Sequence, residues 1–182
     1  MKTMRVLHIN YSDRSGGAAI AMNRLHRQLI KDGVDSHILA DYVIDNDPTI
    51  HSIRKDFIPQ CSFKEKFLYY YHKKYKYSFD NDIGSHPHWK KIIQSDFFNS
   101  FDVINLHNLH SNYFNIRYLL DIAQRKPIVW LLHDMWPLTG HCAYSYSCDL
   151  WKTGCSNCPL LKKDKRYLVE PSPTPYDKSS EI

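Results

Sequence analysis

Long hydrophobic stretches are missing from this chain: no apolar run exceeds five residues. A membrane-crossing helix needs about 20 apolar residues in succession, so none is encoded. No secretory leader is expected from the first residues either. Met1 to Asn10 starts basic, but its apolar part is short and is broken by His8 and Asn10. There is no internal repeat and no complete G-x-G-x-x-G dinucleotide fingerprint. These absences make the cytoplasm the expected location. Thiols stay reduced there, and clustered cysteines bind metal more often than they form disulfides.

The 182 residues suffice for one domain with a sizeable core, or one domain plus an appendage. Hydrophobic residues at 43% and charged residues at 24% fit a soluble globular protein. A formal charge of +5 permits an anionic partner such as a nucleotide, a phospholipid surface or nucleic acid, and selects none of them. Aromatic residues are abundant, with 13 tyrosines, and need a structural or binding reason.

The stretch from Arg5 to Asn10 reads as a first strand, and Tyr11 to Gly17 as a turn-rich loop. A helix pattern follows, with Ala18, Met22, Leu25 and Leu29 on one face and Gly33 as its stop. Ser36 to Ala40 supplies a second strand. This β-loop-α-β opening is that of a doubly wound parallel sheet. Glycines at 16 and 17 allow close backbone approach to a ligand, and the helix behind them offers unpaired N–H donors to an anion such as phosphate. A tight turn with close helix–sheet packing explains the same pair equally well.

Residues 41 to 100 differ in character. Phe63 to Tyr77 mixes aromatics with basic side chains, and Phe63, Phe67, Tyr70 and Tyr71 can share a helix face. Such a helix can lie on an anionic membrane surface, stack on bases, or pack on the domain with its lysines reaching solvent. The last of these is the commonest outcome. His86-Pro87-His88-Trp89 reads as a turn.

Asp102 to His107 reads as another buried strand with a polar tip. Asn115 can cap a helix to about Arg125 that turns Ile116, Leu119, Leu120 and Ala123 inward. Pro127 to Leu132 is apolar without alternation, the pattern of a strand buried on both faces of a parallel sheet. His133-Asp134-Met135-Trp136-Pro137 follows where that strand ends, and ligands of open α/β sheets sit beyond the carboxyl ends of strands. Cys142, Cys148, Cys155 and Cys158 then fall within seventeen residues. One C-x-x-C pair suits structural zinc, with His141 able to replace a ligand; disulfides or simply buried thiols are the alternatives. After Pro159 the chain turns polar and proline-rich.

Three pieces together resemble one family: Met4 to Asn10 with Ser15-Gly16-Gly17-Ala18-Ala19; Phe101 to His107; and Val129 to Gly140 with the cysteine quartet and its Trp151-Lys152-Thr153-Gly154-Cys155 and Asn157-Cys158-Pro159. They look like the N-terminal half of bacterial family-four glycosyltransferases. These are retaining GT-B enzymes, here of the branch that assembles capsule, colanic acid and other exopolysaccharides.

The resemblance implies a Rossmann-like GT-B N-terminal domain over 1–160, incomplete, with a variable insertion at 41–100 and a cysteine-braced loop after a central strand. Residues 161–182 would form a polar tail. The implied partners are a nucleotide-sugar donor and a saccharide or lipid-linked acceptor, with peripheral contact at the inner face of the membrane and no metal required for transfer. Gly16 and Gly17 would lie against the donor phosphates and the acceptor. His133 would sit beside the transferred sugar, hydrogen-bonding it, unless it only holds the following loop. Ser15, His107 and Asp134 are the further substrate-binding candidates.

Family members also carry a donor-binding domain with glutamates at E-x₇-E spacing. Only Glu65, Glu170 and Glu181 occur here, and none of these pairs has that spacing. The donor domain is therefore expected to be absent, and the chain to transfer little sugar alone. A zinc-braced basic module that contacts nucleic acid or anionic membrane is the rival expectation, and no nucleic-acid motif supports it.

Overall fold

The computed structural model describes residues 3–75, 86, 88–111, 113–139 and 142–155. Five strands form one parallel sheet: β1 (Arg5–Ser12), β2 (Asp35–Tyr42), β3 (Ile50–Ser52), β4 (Val103–Leu106) and β5 (Ile128–Trp130). Their spatial order is β3-β2-β1-β4-β5. The chain runs outward from β1 to β3, then returns to place β4 on the other side of β1. That reversal is a topological switch point, where the loops after β1 and β4 part and leave a crevice. The expected α/β, Rossmann-like architecture is present.

Helix α1 (Gly17–Lys31) connects β1 to β2. Gly33 ends it with φ 84, its N–H reaching the Ile30 carbonyl at 3.0 Å while Val34 N–H reaches that of Leu29 at 2.9 Å. This is the glycine stop read from the sequence. The buried face differs from the expected one. Ala19, Met22 and His26 point inward, whereas Leu25 is largely exposed. The reason is His26, whose ring is held by hydroxyls on β2 and the β3 approach and turns the helix to suit.

Among the described residues four further α-helices follow: α2 (Phe63–Tyr75), α3 (His88–Gln94), α4 (Asp96–Asn99) and α5 (Tyr118–Ala123). His88 and Trp89 thus open a helix rather than a turn. Asn115 is not the cap of α5: the cap position is Arg117, without a side-chain hydrogen bond, and Asn115 Oδ1 accepts Arg117 N–H at 3.0 Å in the turn that precedes the helix. The helix is also shorter than expected, and buries Leu119 and Ile122 while Leu120 and Ala123 face out.

The sheet has two unlike faces. Leu7, Ile9, Leu39, Ile104 and Leu106 point into a large apolar core with Trp89, Ile92, Phe98, Tyr113, Phe114 and Ile122. On the opposite face α1 covers a small cluster of Met22, Ile38 and Ala40. The same face also carries the polar side chains of His8, Ser36 and Asn105 beside Val6 and Val103. Residues of the 41–100 stretch, Ile53, Tyr69 and Trp89 among them, belong to the large core.

Strand β5 departs from expectation. It is three residues long and forms the edge of the sheet among the described residues. Val129 is 55% exposed, and Leu131 and Leu132 are 44% and 45% exposed. An unbroken apolar run cannot distinguish a central strand from an edge strand that joins its neighbour on one side only. The tail 161–182 and Cys158 lie outside the described residues. Among the described residues no helix is long and apolar enough to cross a membrane.

Candidate active site

Because β1, β4 and β5 run parallel and adjacent, the residues after each arrive at the same rim. After β1, Ser12 Oγ accepts the N–H groups of Arg14 at 3.3 Å and Ser15 at 3.1 Å, which tightens the turn. The buried Asp13 carboxylate anchors the β2 loop by accepting from Ile44 N–H at 3.0 Å and Asp45 N–H at 2.8 Å. Gly16 then adopts φ 91, ψ 164, a backbone region essentially reserved for glycine. Helix α1 starts at Gly17 with no side-chain cap and no acidic residue in its first turn. Its N–H donors and positive dipole end thus face the crevice without a counter-charge of their own.

Beneath this rim runs a row of imidazoles on the α1 side of the sheet. His107 follows β4 directly, its N–H donating to the Ile9 carbonyl at 3.0 Å. Its Nδ1 lies 2.8 Å from His133 Nε2, with ring centroids 5.1 Å apart and planes 20° apart. The two rings therefore meet end to end, nearly coplanar. His107 Nε2 lies 3.2 Å from His8 Nδ1, which is also 2.9 Å from Asn105 Oδ1. The row continues from His8 Nε2 to Ser36 Oγ at 3.1 Å, from Ser36 Oγ to His26 Nδ1 at 2.9 Å, and from His26 Nε2 to Thr49 Oγ1 at 3.1 Å.

Burial sets the charge of these rings. It pushes His8 down to about 4, against a smaller opposing effect of the Asn105 hydrogen bond. It pushes His107 down to about 3, with repulsion from His8 and His133 adding to the fall. His26 and His133 are lowered as well, again chiefly by burial. All four imidazoles are neutral at pH 7, and each carries one N–H.

His133 is half-buried at the end of the row, and its Nδ1 has no hydrogen-bond partner among the described residues. Asp134, by contrast, is committed within its own loop. One carboxylate oxygen faces His110 Nε2 at 2.9 Å and the other accepts Trp136 N–H at 2.9 Å. Trp130 Nε1 donates to the His107 carbonyl at 2.9 Å, tying β5 to the site.

Of the expected site residues, Ser15, Gly16, Gly17, His107, His133 and Asp134 all follow strands on this rim, and His107 and His133 are in direct contact. The cysteine bracing is not seen among the described residues. None of Cys61, Cys142, Cys148 and Cys155 is in a disulfide. No three His, Cys, Asp or Glu side chains among the described residues are arranged to hold a metal ion. Cys158, the last of the expected four, lies outside them.

The loop is instead organised by hydrogen bonds. Met135 N–H donates to the Ala143 carbonyl at 2.8 Å, and Thr139 Oγ1 donates to that of Cys142 at 2.7 Å. Sequence reasoning missed His8, His26, Ser36 and Asn105. The signal for His8 and Asn105 was the period-2 placement of polar residues within apolar strands, at 8 and 10 and at 105 and 107, which sets each pair on one face; His26 and Ser36 had no such signal.

This sheet and rim define a Rossmann-like domain with its topological switch point between β1 and β4. No family model matches the chain. It is 27% identical, over 87% of its length, to a protein described as a colanic acid biosynthesis glycosyl transferase, WcaC of Escherichia coli strain K12. The chain spans 40% of that relative's length. The resemblance drawn from the sequence agrees with this similarity.

Proposed function

We propose that this chain is the acceptor-side part of a glycosyltransferase of cell-surface polysaccharide synthesis, moving a sugar from a nucleotide-sugar to a saccharide or lipid-linked acceptor. The observation that carries the reading is the delivery of the Gly16-Gly17 turn and His133 to one rim, in a chain similar to a colanic acid glycosyl transferase. The uncapped N-terminus of α1 suits a diphosphate, whose departure needs stabilised negative charge. A neutral imidazole at a strand end suits a sugar hydroxyl and orients the hexose by hydrogen bonding. His107 acts through His133, and Asp134 shapes the loop that holds it.

The test is nuclear magnetic resonance titration of the chain with UDP-glucose, GDP-mannose and inorganic pyrophosphate. The amides of Gly16 and Gly17 are expected to respond to every diphosphate, and the His133 ring only to the hexose-bearing probes. His133→Ala should abolish the sugar-dependent part of binding and leave the pyrophosphate response. Perturbations confined to other surfaces would overturn the assignment.

One further surface fits a peripheral role in the same process. Phe63, Phe67, Tyr70 and Tyr71 are all exposed on α2, beside Lys64 and Lys66. An aromatic face flanked by cations suits the headgroup region of an anionic bilayer, where a lipid-linked acceptor would reside.

A further inference from the structure

The contacts of the imidazole row carry a direction. Asn105 Nδ2 donates to the Val129 carbonyl at 3.0 Å, so its amide oxygen is the atom that meets His8 Nδ1 at 2.9 Å. An amide oxygen only accepts, so the single N–H of neutral His8 sits on Nδ1. That same N–H is 3.2 Å from His107 Nε2, which must therefore be the bare, accepting nitrogen. The hydrogen of His107 is then on Nδ1 and points at His133 Nε2, 2.8 Å away. His133 in turn is left bare at Nε2 and protonated at Nδ1, the nitrogen with no partner among the described residues.

The far end of the row pulls the other way. Thr49 Oγ1 donates its one hydrogen to the Asp47 carboxylate at 2.6 Å, so the contacts from Thr49 through His26 and Ser36 to His8 cannot all be satisfied while His8 Nε2 is bare. The unmade bond costs least at the part-buried His26–Thr49 contact and most at the buried His8–Asn105 contact, so the amide oxygen sets the order.

We propose that Asn105, His8 and His107 form a tautomer relay that makes His133 present an Nδ1–H donor to an oxygen of the bound sugar. The three are positioning residues: only His133 meets the ligand. The proposal rests on reading His133 as the sugar-contacting imidazole. It adds which of its nitrogens faces the sugar, and that this nitrogen donates. An Nδ1–H at this point selects ligands that offer an accepting oxygen and disfavours a group that can only donate. It is also the tautomer a free histidine side chain populates less in water, so its presence requires an external cause. Neutrality of the buried rings is what lets one amide determine all three tautomers; a doubly protonated ring anywhere in the row would erase the direction.

The deciding experiment is long-range proton–nitrogen correlation spectroscopy on the nitrogen-15-labelled chain near pH 7. It separates protonated from bare ring nitrogens. His8, His107 and His133 should each show a protonated Nδ1 and a bare Nε2. Asn105→Ala should shift the His133 tautomer ratio toward Nε2–H by about fivefold, the worth of one net hydrogen bond. His8→Phe should do the same. His8→Asn, whose amide N–H replaces the lost Nδ1–H, should restore the ratio.

A His133 protonated at Nε2 in the unmodified chain overturns the relay, as does a ratio unmoved by Asn105→Ala. Should the variants unfold, the unmodified spectrum still decides. Titration with UDP-glucose separates the two readings. The stated tautomer without a sugar response sinks the transferase assignment alone, whereas a sugar response from the opposite tautomer sinks the relay alone.

Discussion

The two faces of this one sheet solve different problems. On the α3–α5 side the strands contribute Leu7, Ile9, Leu39, Ile104 and Leu106 to a core rich in aromatic rings, alongside the Asp41–Tyr69–Arg54 and His37–His51 hydrogen bonds. On the α1 side the neighbouring positions of the same strands carry His8, Ser36 and Asn105, all buried and all hydrogen-bonded. The first face contributes stability through burial, at about 1.5–3 kcal/mol for each fully buried large side chain. The second gives much of that up, because a net hydrogen bond returns only about 1 kcal/mol and any unmade one costs more. Polar groups retained at that cost lie directly beneath the rim to which the proposed function assigns the ligand.

The sharpest way to break the contrast is at Trp89. It is fully buried, donates its Nε1–H to the Tyr113 carbonyl at 2.7 Å, and packs edge-on against Phe114 with centroids 4.6 Å apart. Trp89→Ala should cost about 3–5 kcal/mol in urea denaturation, with the cavity and the lost hydrogen bond both contributing. A loss under 1 kcal/mol would mean that this face does not carry the fold.

Acid probes the other face. His8 and His107, held near 4 and near 3, stay neutral in the folded chain while their unfolded counterparts, near 6.5, take up protons. Lowered folded values mean that this stability is complete above about pH 6.5 and is lost as pH falls toward 4. The slope approaches about 1.4 kcal/mol per pH unit for each such ring. Unfolding free energies that match at pH 7 and pH 5 would refute neutral burial of the row.

The smallest effect on stability is expected at the exposed aromatics of α2. Phe67 is 58% exposed, and Phe67→Ala should change stability by no more than about 0.5 kcal/mol. The same variant should weaken co-sedimentation with vesicles containing anionic phospholipid. Unchanged vesicle binding would leave the helix merely solvated.

How far the sequence foretold this depends on the element. Strands β1, β2 and β4 were legible because apolar runs bounded by Gly, Asp and Asn leave little else for them to be. The Gly16-Gly17 turn and the His133 tip followed from where those strands stop. The buried face of α1 was misread, since hydrophobic periodicity favours Leu25 and Leu29, while a histidine with two hydroxyl partners outweighs either. β5 was overrated for a related reason: an apolar run reports composition, not the number of neighbouring strands. The imidazole row could not be read as a unit. His8 and His107 stand ninety-nine residues apart, and only the parallel register of β1 with β4 makes them neighbours.

That register has a consequence for assembly. Thr49, His26, Ser36, His8, His107 and His133 come from six separate segments, and no contiguous piece of the chain contains more than a fraction of the row. The contacts among Thr49, His26, Ser36 and His8 span 10 to 28 residues, whereas the His8–His107 contact spans 99 and closes late in folding. A partly opened chain can therefore keep the inner part of the row ordered around β1, α1 and β2 while lacking its link to His107 and His133. That link should form in a single step with the docking of β4 beside β1.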